Sequence, residues 1–343
     1  MTPRNRLAWA IILLLVPCAA WSQFQAPISG PTLGYFWDRA LGSLRPILGI
    51  PGSATVGDGL NLALALRFAE VAPRQDYALA VDESARILIV DLATRQLRFI
   101  AGAAATPDRI VFSPTGASAA LYYRERRAVQ ALTGLPEAPA AGDEMDLSTL
   151  PPLITAMAVS DRDGIILLGT ADGIYAAQPR SGLPVLVSPI GRAGALSFLE
   201  NSRDVILADH DRNELLWIRD VTGAAEKVLV AGERDGLTRP LAVAVAENNR
   251  KVFAAVAGGV AVTTLDGSPL TVLACPCSPS GLHRLKGNSV FRLNEPSNGP
   301  IFVLDAETAE PRVLFVPSGG EARPEARSAP ATAAPISRGR SRP

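Results

Sequence analysis

The chain has 343 residues, of which 48% are hydrophobic and 19% are charged. This composition can fill a large apolar core and excludes wholesale disorder. The formal net charge is zero, and leaving out the N-terminal segment 1–22 and the C-terminal segment 317–343 gives 26 basic and 31 acidic residues. A mildly acidic body argues against nucleic acid as a partner, because proteins that bind it present a basic face.

Residues 1–22 have the pattern of a secretory signal peptide. Arg4 and Arg6 precede an apolar run over 7–16, and Ala20 and Ser22 supply the small residues that a signal peptidase reads. We predict cleavage before Gln23 and a periplasmic or extracellular mature chain. An uncleaved membrane anchor is the less favoured alternative, because the run has ten residues and a span needs ~20. No other segment is apolar enough to cross a membrane, so we expect no membrane span in the mature chain.

Short apolar runs separated by polar turns recur from residue 24 to residue 316. The runs are four to six residues long and the turns carry Asp, Asn, Gly or Pro, which predicts strands because a helix needs a longer run between breakers. A hairpin recurs with equivalent points near residues 38, 91, 124, 178, 220, 265 and 305. The mean spacing is about 44 residues, and a period of ~40–45 with four short strands predicts an all-β fold, the β-propeller.

Each hairpin is expected to supply the two outer strands of a blade, with two inner strands before it. The predicted inner pairs are 66–72 with 77–81, 110–113 with 117–123, 154–160 with 165–169, 195–199 with 205–208, 241–246 with 252–256, and 282–285 with 289–293. Runs such as Ile87–Val90 are apolar at every position, as expected of a strand buried on both faces between neighbouring blades.

The first hairpin, Tyr35–Asp38 with Leu44–Leu48, has no inner strands before it. It could belong to a reduced seventh blade over 28–62, complete the last blade and close the ring, or cap a ring of six blades. We favour about seven four-stranded blades, because an open ring would expose sheet edges to other chains.

Two further segments depart from the repeat. The segment Gly134–Pro152 is an insertion with an acidic patch, and it is either a binding loop or an outer strand replaced by a loop. From Pro317 the composition is dominated by Pro, Ala, Ser, Gly and Arg, with no apolar run, which predicts disorder over 317–343. The propeller domain is therefore predicted over 23–316.

Two stretches resemble bacterial propeller repeats. Val81–Leu121, with IVDLATRQLRFIAG followed by IVFSPTG, resembles the YVTN repeat. Val230–Ala254, with AGERDGLTRPLAVAVAENNRKVFAA, resembles the NHL repeat. The resemblance implies a propeller, and propellers of these families serve as protein-binding platforms, extracellular scaffolds and, less often, enzymes.

Cys275 and Cys277 remain after signal removal, and only Pro276 separates them. Export favours a local disulfide, with free thiols as the alternative. His210 and His283 are the only histidines, which excludes a multi-histidine metal site. We expect His210 to be exposed in a turn and His283 to pack on an inner strand.

Asp209, Asp211 and Asn213 place side-chain oxygens at alternate positions, as in the first half of a calcium loop. Turns between strands use the same residues for backbone reasons, so these three are weak metal candidates and no cofactor is expected. No sequence motif for a catalytic residue or a cofactor site occurs.

These observations predict an exported, non-enzymatic propeller that binds a protein or a cell-envelope component. The alternative is a metal-dependent hydrolase or lyase, lactonase-like, with its site at the mouth of the central channel. Propeller loops from all blades converge at that mouth, so either ligand is expected there.

Overall fold

The computed structural model describes residues 30–179, 182–296 and 299–318. The chain divides into two units, Met1–Gly30 and Pro31–Pro343, and all described residues except Gly30 belong to the second. The predicted signal peptide, the first residues of the predicted propeller domain (23–29) and residues 319–343 of the predicted tail lie outside the described residues.

The described residues form seven antiparallel sheets, each a meander in chain order. We number the sheets as blades 1 to 7. Blade 1 has three strands, β1 (Thr32–Asp38), β2 (Ser43–Ile50) and β3 (Ser53–Val56).

Blades 2 to 7 have four strands each. The strands of blades 2 to 4 are β4 (Leu66–Val71), β5 (Tyr77–Asp82), β6 (Ile87–Asp91) and β7 (Leu97–Phe99); β8 (Arg109–Phe112), β9 (Ser118–Tyr123), β10 (Ala128–Thr133) and β11 (Ala140–Asp146); and β12 (Ala156–Val159), β13 (Ile166–Gly169), β14 (Gly173–Ala177) and β15 (Val185–Pro189). The strands of blades 5 to 7 are β16 (Ala193–Phe198), β17 (Val205–Asp209), β18 (Glu214–Arg219) and β19 (Glu226–Ala231); β20 (Ala242–Ala246), β21 (Lys251–Val256), β22 (Gly259–Thr264) and β23 (Thr271–Ala274); and β24 (His283–Arg284), β25 (Val290–Arg292), β26 (Ile301–Asp305) and β27 (Arg312–Val316).

The blades close into a ring, because buried apolar side chains form one cluster between each pair of neighbours, including the last and the first. Between blades 7 and 1, Leu33 and Phe36 pack with Leu285 and Val303. The chain is a seven-bladed β-propeller. The predicted fold class is confirmed, and the alternative of six blades with a capping hairpin is wrong.

Ile87–Val90 in β6 is buried at every position, and so are the second strands β5, β9 and β13. The predicted burial of strands between neighbouring blades is therefore confirmed, and so are the six predicted inner pairs. Among the described residues, no helix is long and apolar enough to cross a membrane.

Blade 1 differs from the others in the direction of its innermost strand. Lys286 follows β24, and its N–H donates to the carbonyl of Leu33 at the start of β1 over 2.8 Å. Arg39, just after β1, lies near Glu295, which faces His283 at the start of β24. Strand β1 therefore runs opposite to β24, in the direction of a second strand.

The prediction that the first hairpin supplies the two outer strands of a blade is therefore wrong. Its strands, β1 and β2, are the second and third strands of a blade, and β3 is the fourth. The described residues of blade 1 contain no equivalent of the innermost strand, so β1 itself lies against the cavity.

The outer strands of blade 3 also differ from the prediction. The hairpin expected as its outer pair is β9 with β10, and the outermost strand β11 (Ala140–Asp146) lies within the predicted insertion Gly134–Pro152. The insertion therefore contains the fourth strand of the blade. The sequence of β11 does not resemble a strand, because it is an edge strand with mostly exposed positions and with Asp143, Glu144 and Asp146 among its seven residues.

Candidate functional site

A cavity of about 750 Å³ lies on the axis of the ring and is lined by the innermost strands of all seven blades. We call the face where β4, β8, β12, β16, β20 and β24 begin the entry face, and the face where they end the exit face. We call the opening at the entry face the mouth. Five arginines and three acidic residues line the cavity, so it has a positive excess in a body whose net charge is negative.

On the exit face, hydrogen bonds link the first turns of successive blades. Asp161 accepts from Thr115 N at 2.9 Å on one side and from Asn201 N at 2.7 Å on the other. Glu200 N donates to Asn249 Oδ1 at 2.8 Å. We call this series of hydrogen bonds between turns the exit-face belt. The belt fixes the turns relative to one another, and it uses both carboxylate oxygens of Asp161.

Gln75 makes similar hydrogen bonds across blade 1. Its Oε1 accepts from Tyr35 N at 2.5 Å, and its Nε2 donates to the carbonyl of Arg284 at 2.7 Å. A Cβ on Gly34 would lie 2.7 Å from Leu285 Cδ2 and 2.9 Å from Gln75 Oε1, so only glycine permits this close approach. The side chain of Gln75 is 4% exposed, and it joins three blades at the point where the ring lacks a strand.

Arg284 reaches from blade 7 across blade 6 to blade 5. Its Nη1 lies 2.7 Å from Glu200 Oε1, and its Nη2 donates to the carbonyl of Val245 at 2.5 Å. This partly buried ion pair spans the exit end of the cavity.

At the mouth, His283, Arg292 and Glu295 form a cluster. His283 Nε2 lies 3.2 Å from Glu295 Oε1, and Arg292 Nη1 lies 3.6 Å from Glu295 Oε2. The hydrogen bond with His283, followed by the charge of Arg292, lowers the pKa of Glu295 to about 2. Burial lowers the pKa of Arg292 from its ordinary value, so this guanidinium is held largely out of water.

Glu70 extends the cluster into the cavity from β4. Burial raises the pKa of Glu70, and the charges of His283 and Arg292 oppose that shift. A carboxyl in a cavity with a raised pKa and cationic neighbours has the environment of a functional acid. Sequence reasoning missed this cluster, because its members come from blades 2 and 7.

The entry face also carries exposed apolar and basic side chains. Leu41, Leu153 and Leu241 are 54%, 62% and 44% exposed, and they lie in turns that open on this face. Three exposed arginines line the mouth. They are Arg39, Arg67 and Arg109. We define these six residues as the mouth surface.

The structure keeps two of the three predicted metal candidates together and separates the third from them. Asp209 is fully buried, and its Oδ1 accepts from the N–H groups of Asp211 and Arg212, each at 3.1 Å. Asn213 turns away from them, because its Oδ1 accepts from Arg239 N at 2.8 Å. Among the described residues, no group of three or more His, Cys, Asp or Glu is placed to hold a metal ion.

The histidines and cysteines lie on the same face. His210 is in the predicted turn, but its side chain is only 20% exposed, so the expectation of an exposed ring is wrong. His283 lies on its predicted inner strand and faces the cavity. Cys275 and Cys277 are paired as a disulfide with Cα atoms 5.0 Å apart, and the redox state of the protein in solution stays a prediction.

Comparison with known sequences gives no relative. No protein-family model matches the chain, and no curated protein matches it. The resemblance to YVTN and NHL repeats therefore stays a prediction.

Solved structures share the fold. A functionally unknown protein from Desulfotomaculum acetoxidans is similar with a TM-score of 0.53 and 10% identity, covering 83% of this chain and 100% of that one. A streptogramin B lyase structure has a TM-score of 0.53 and 11% identity over 76% of this chain and 86% of that chain. The WD40 repeats of RRP9 have a TM-score of 0.50 and 12% identity, with coverages of 76% and 83%. At these identities the likeness shows the propeller fold alone.

Proposed function

We propose that this chain is an exported, non-enzymatic propeller that binds a protein partner of the cell envelope through its mouth surface. The observation that carries the proposal is that one face of the ring combines three exposed leucines with three exposed arginines that line the opening of the cavity. Exposed apolar side chains grouped on rigid loops are typical of interaction sites. WD40 propellers, to which the fold is similar, often serve as protein-binding platforms.

The charges specify the chemistry of the partner. The mouth presents Arg39, Arg67 and Arg109, and the five arginines of the cavity outnumber its three acidic residues. A complementary partner would present acidic side chains to the arginines and apolar side chains to the leucines. Such complementarity contributes to association rate and specificity.

Other exposed apolar side chains provide a control surface. Leu186, Leu229 and Val272 lie on the outermost strands of blades 4, 5 and 6 and are 48%, 57% and 52% exposed. They lie on the outer strands of the ring and do not line the axial cavity. We define them as the rim surface.

Site-specific cross-linking in the native envelope tests the proposal. A photo-reactive residue at position 153 or 241 is expected to capture one partner in near-stoichiometric amount, and the same residue at 229 or 272 is expected to capture little. Cross-links at the rim alone would contradict the mouth surface as the binding site. N-terminal sequencing of the exported protein should give Gln23 as the first residue.

A second candidate function is a hydrolase or lyase in the cavity. It is favoured by the raised pKa of Glu70 beside the charges of His283 and Arg292, because a carboxyl with a raised pKa in a cavity is a candidate general acid or base. Assays of lactone and ester substrates would compare the wild type with Glu70→Gln. Turnover that is lost in the variant would support the enzyme, and turnover that persists in it would exclude Glu70 as the acid or base.

A further inference from the structure

Three blades end their second strand, or its equivalent in blade 1, with a buried aspartate at the entry face. Asp38, Asp82 and Asp209 are 7%, 4% and 0% exposed. In each, Oδ1 accepts hydrogen bonds from N–H groups of the turn that follows. The three therefore have the same local role, and they can be compared directly.

They differ at the second carboxylate oxygen. Asp38 Oδ2 lies 3.0 Å from Arg45 Nη1, and Asp82 Oδ2 lies 2.8 Å from Arg86 Nη2. Asp209 Oδ2 is buried and has no hydrogen-bond partner among the described residues. A buried carboxylate oxygen that has neither a cation nor a hydrogen-bond donor beside it is unfavourable. The turn of blade 5 thus lacks the positive charge that its two counterparts have.

The oxygens around Asp209 face a common point beside Gly191. A Cβ built on Gly191 would lie 3.7 Å from Asp209 Oδ1, 3.8 Å from Asp209 Oδ2 and 3.8 Å from Asp211 Oδ2. These are ordinary contact distances for a methyl group, and the backbone of Gly191 is not in the left-handed region. Gly191 leaves that point open, next to three carboxylate oxygens.

We propose that Asp209 and Asp211 bind a hard cation beside Gly191, with calcium as the best-fitting ion. Carboxylate oxygens are the ligands that calcium prefers, and backbone carbonyls and water can complete its six to eight ligands. The cation takes the place that Arg45 and Arg86 have in blades 1 and 2. Asn213 is not a ligand, because it holds the backbone of Arg239.

The test is thermal unfolding of the mature chain in EDTA, in calcium chloride and in magnesium chloride. In the wild type, a saturating concentration of either ion is expected to raise Tm by at least about 3 °C, and EDTA reverses the shift. In Asp211→Asn the shift should be lost. No shift with either ion would overturn the proposal.

Gly191→Ala gives a second readout that does not depend on removing a ligand. Its methyl group fits the metal-free structure, so Tm in EDTA should stay close to that of the wild type. The methyl group occupies the point that the oxygens face, so the calcium shift should disappear. The matched control is Gly142→Ala, whose added Cβ meets its nearest atom, the carbonyl oxygen of Ala131, at 3.5 Å and should leave the shift intact. A shift that survives in both Gly191→Ala and Asp211→Asn would place the ion elsewhere and overturn the site.

Discussion

The side-chain amide of Gln75 donates to the backbone carbonyl of Arg284, 209 positions later in the chain, over 2.7 Å. Its oxygen accepts from Tyr35 N in blade 1. One buried side chain therefore joins blades 1, 2 and 7 where the described part of blade 1 lacks an innermost strand. The amide substitutes for part of the backbone pairing that a missing strand would supply.

Gln75→Asn should weaken ring closure. Asparagine tolerates the positive φ of 62° at this position but is one methylene too short to reach both partners. Leaving buried hydrogen-bonding groups unpaired costs about 1–3 kcal/mol, which should appear as a lower urea midpoint. The control is Gln96→Asn, at an exposed position. Equal midpoints for the two variants would mean that Gln75 does not support closure.

Glu295 is expected to stabilise the fold at neutral pH and to lose this effect in acid. Its pKa falls from an ordinary value of 4.5 to about 2 because it is hydrogen-bonded to His283 and lies near Arg292. A lowered carboxyl pKa contributes stability that is complete above the unfolded value and is lost as the pH falls towards 2. The effect should be small, because the side chain is 50% exposed and solvent screens the pair.

Thermal unfolding of Glu295→Gln between pH 6 and pH 2.5 measures this effect. The variant should have a lower Tm than the wild type at pH 6, and the difference should shrink as the pH falls. Glu125→Gln, at an exposed position, should show no such convergence. A difference that stays constant with pH would rule out the assigned ion pair as its source.

The pH dependence of stability expected from Glu70 is opposite in sign to that expected from Glu295. Burial raises its pKa above 4.5, so the folded protein holds this proton more tightly than the unfolded chain does. Stability from this group is present at low pH and is lost as the pH rises through the raised pKa. Glu70→Gln removes that loss, so its Tm relative to the wild type should increase from pH 4 to pH 8. A relative Tm that is flat over this range would contradict the assigned burial of the charge.

The Cys275–Cys277 disulfide predicts a simple thiol count. Protein isolated from an oxidising compartment and then denatured should show no free thiol, and reduction should expose two. Because the loop that the bond closes is very short, the chain-entropy model gives only roughly 1–2 kcal/mol of stabilisation. Reduction should therefore lower Tm modestly and leave the propeller folded. Two thiols before reduction would show that the bond is absent in solution.

Much of the fold could be predicted from spacing alone. Runs such as Ile87–Val90 are apolar on both faces because neighbouring blades cover them, and that pattern is local in sequence. The strand β11 was not predicted because it is an edge strand. Most of its positions are exposed to solvent, as they would be in a loop. The direction of β1 could not be predicted, because it depends on contacts of Leu33 and Tyr35 with distant blades.

The candidate site was predictable only in outline. The channel mouth follows from the fold, but Glu70 and Arg292 lie on blades 2 and 7, and nothing in their local sequence indicates that their charges interact. At the Asp209 turn, in contrast, local spacing predicted more ligands than the structure brings together. Its spacing indicated three ligands, and the structure assigns the oxygen of Asn213 to Arg239.

Binding of a protein partner by the mouth surface can be measured directly. The most direct measurement is the affinity of the partner captured by cross-linking for three forms of the mature chain: the wild type, the mouth variant Leu153→Glu/Leu241→Glu and the rim variant Leu229→Glu/Val272→Glu. We expect the mouth variant to bind at least about tenfold more weakly, a loss of about 1.4 kcal/mol, and the rim variant to bind like the wild type. Unchanged affinity in the mouth variant, or a loss only in the rim variant, would contradict binding by the mouth surface.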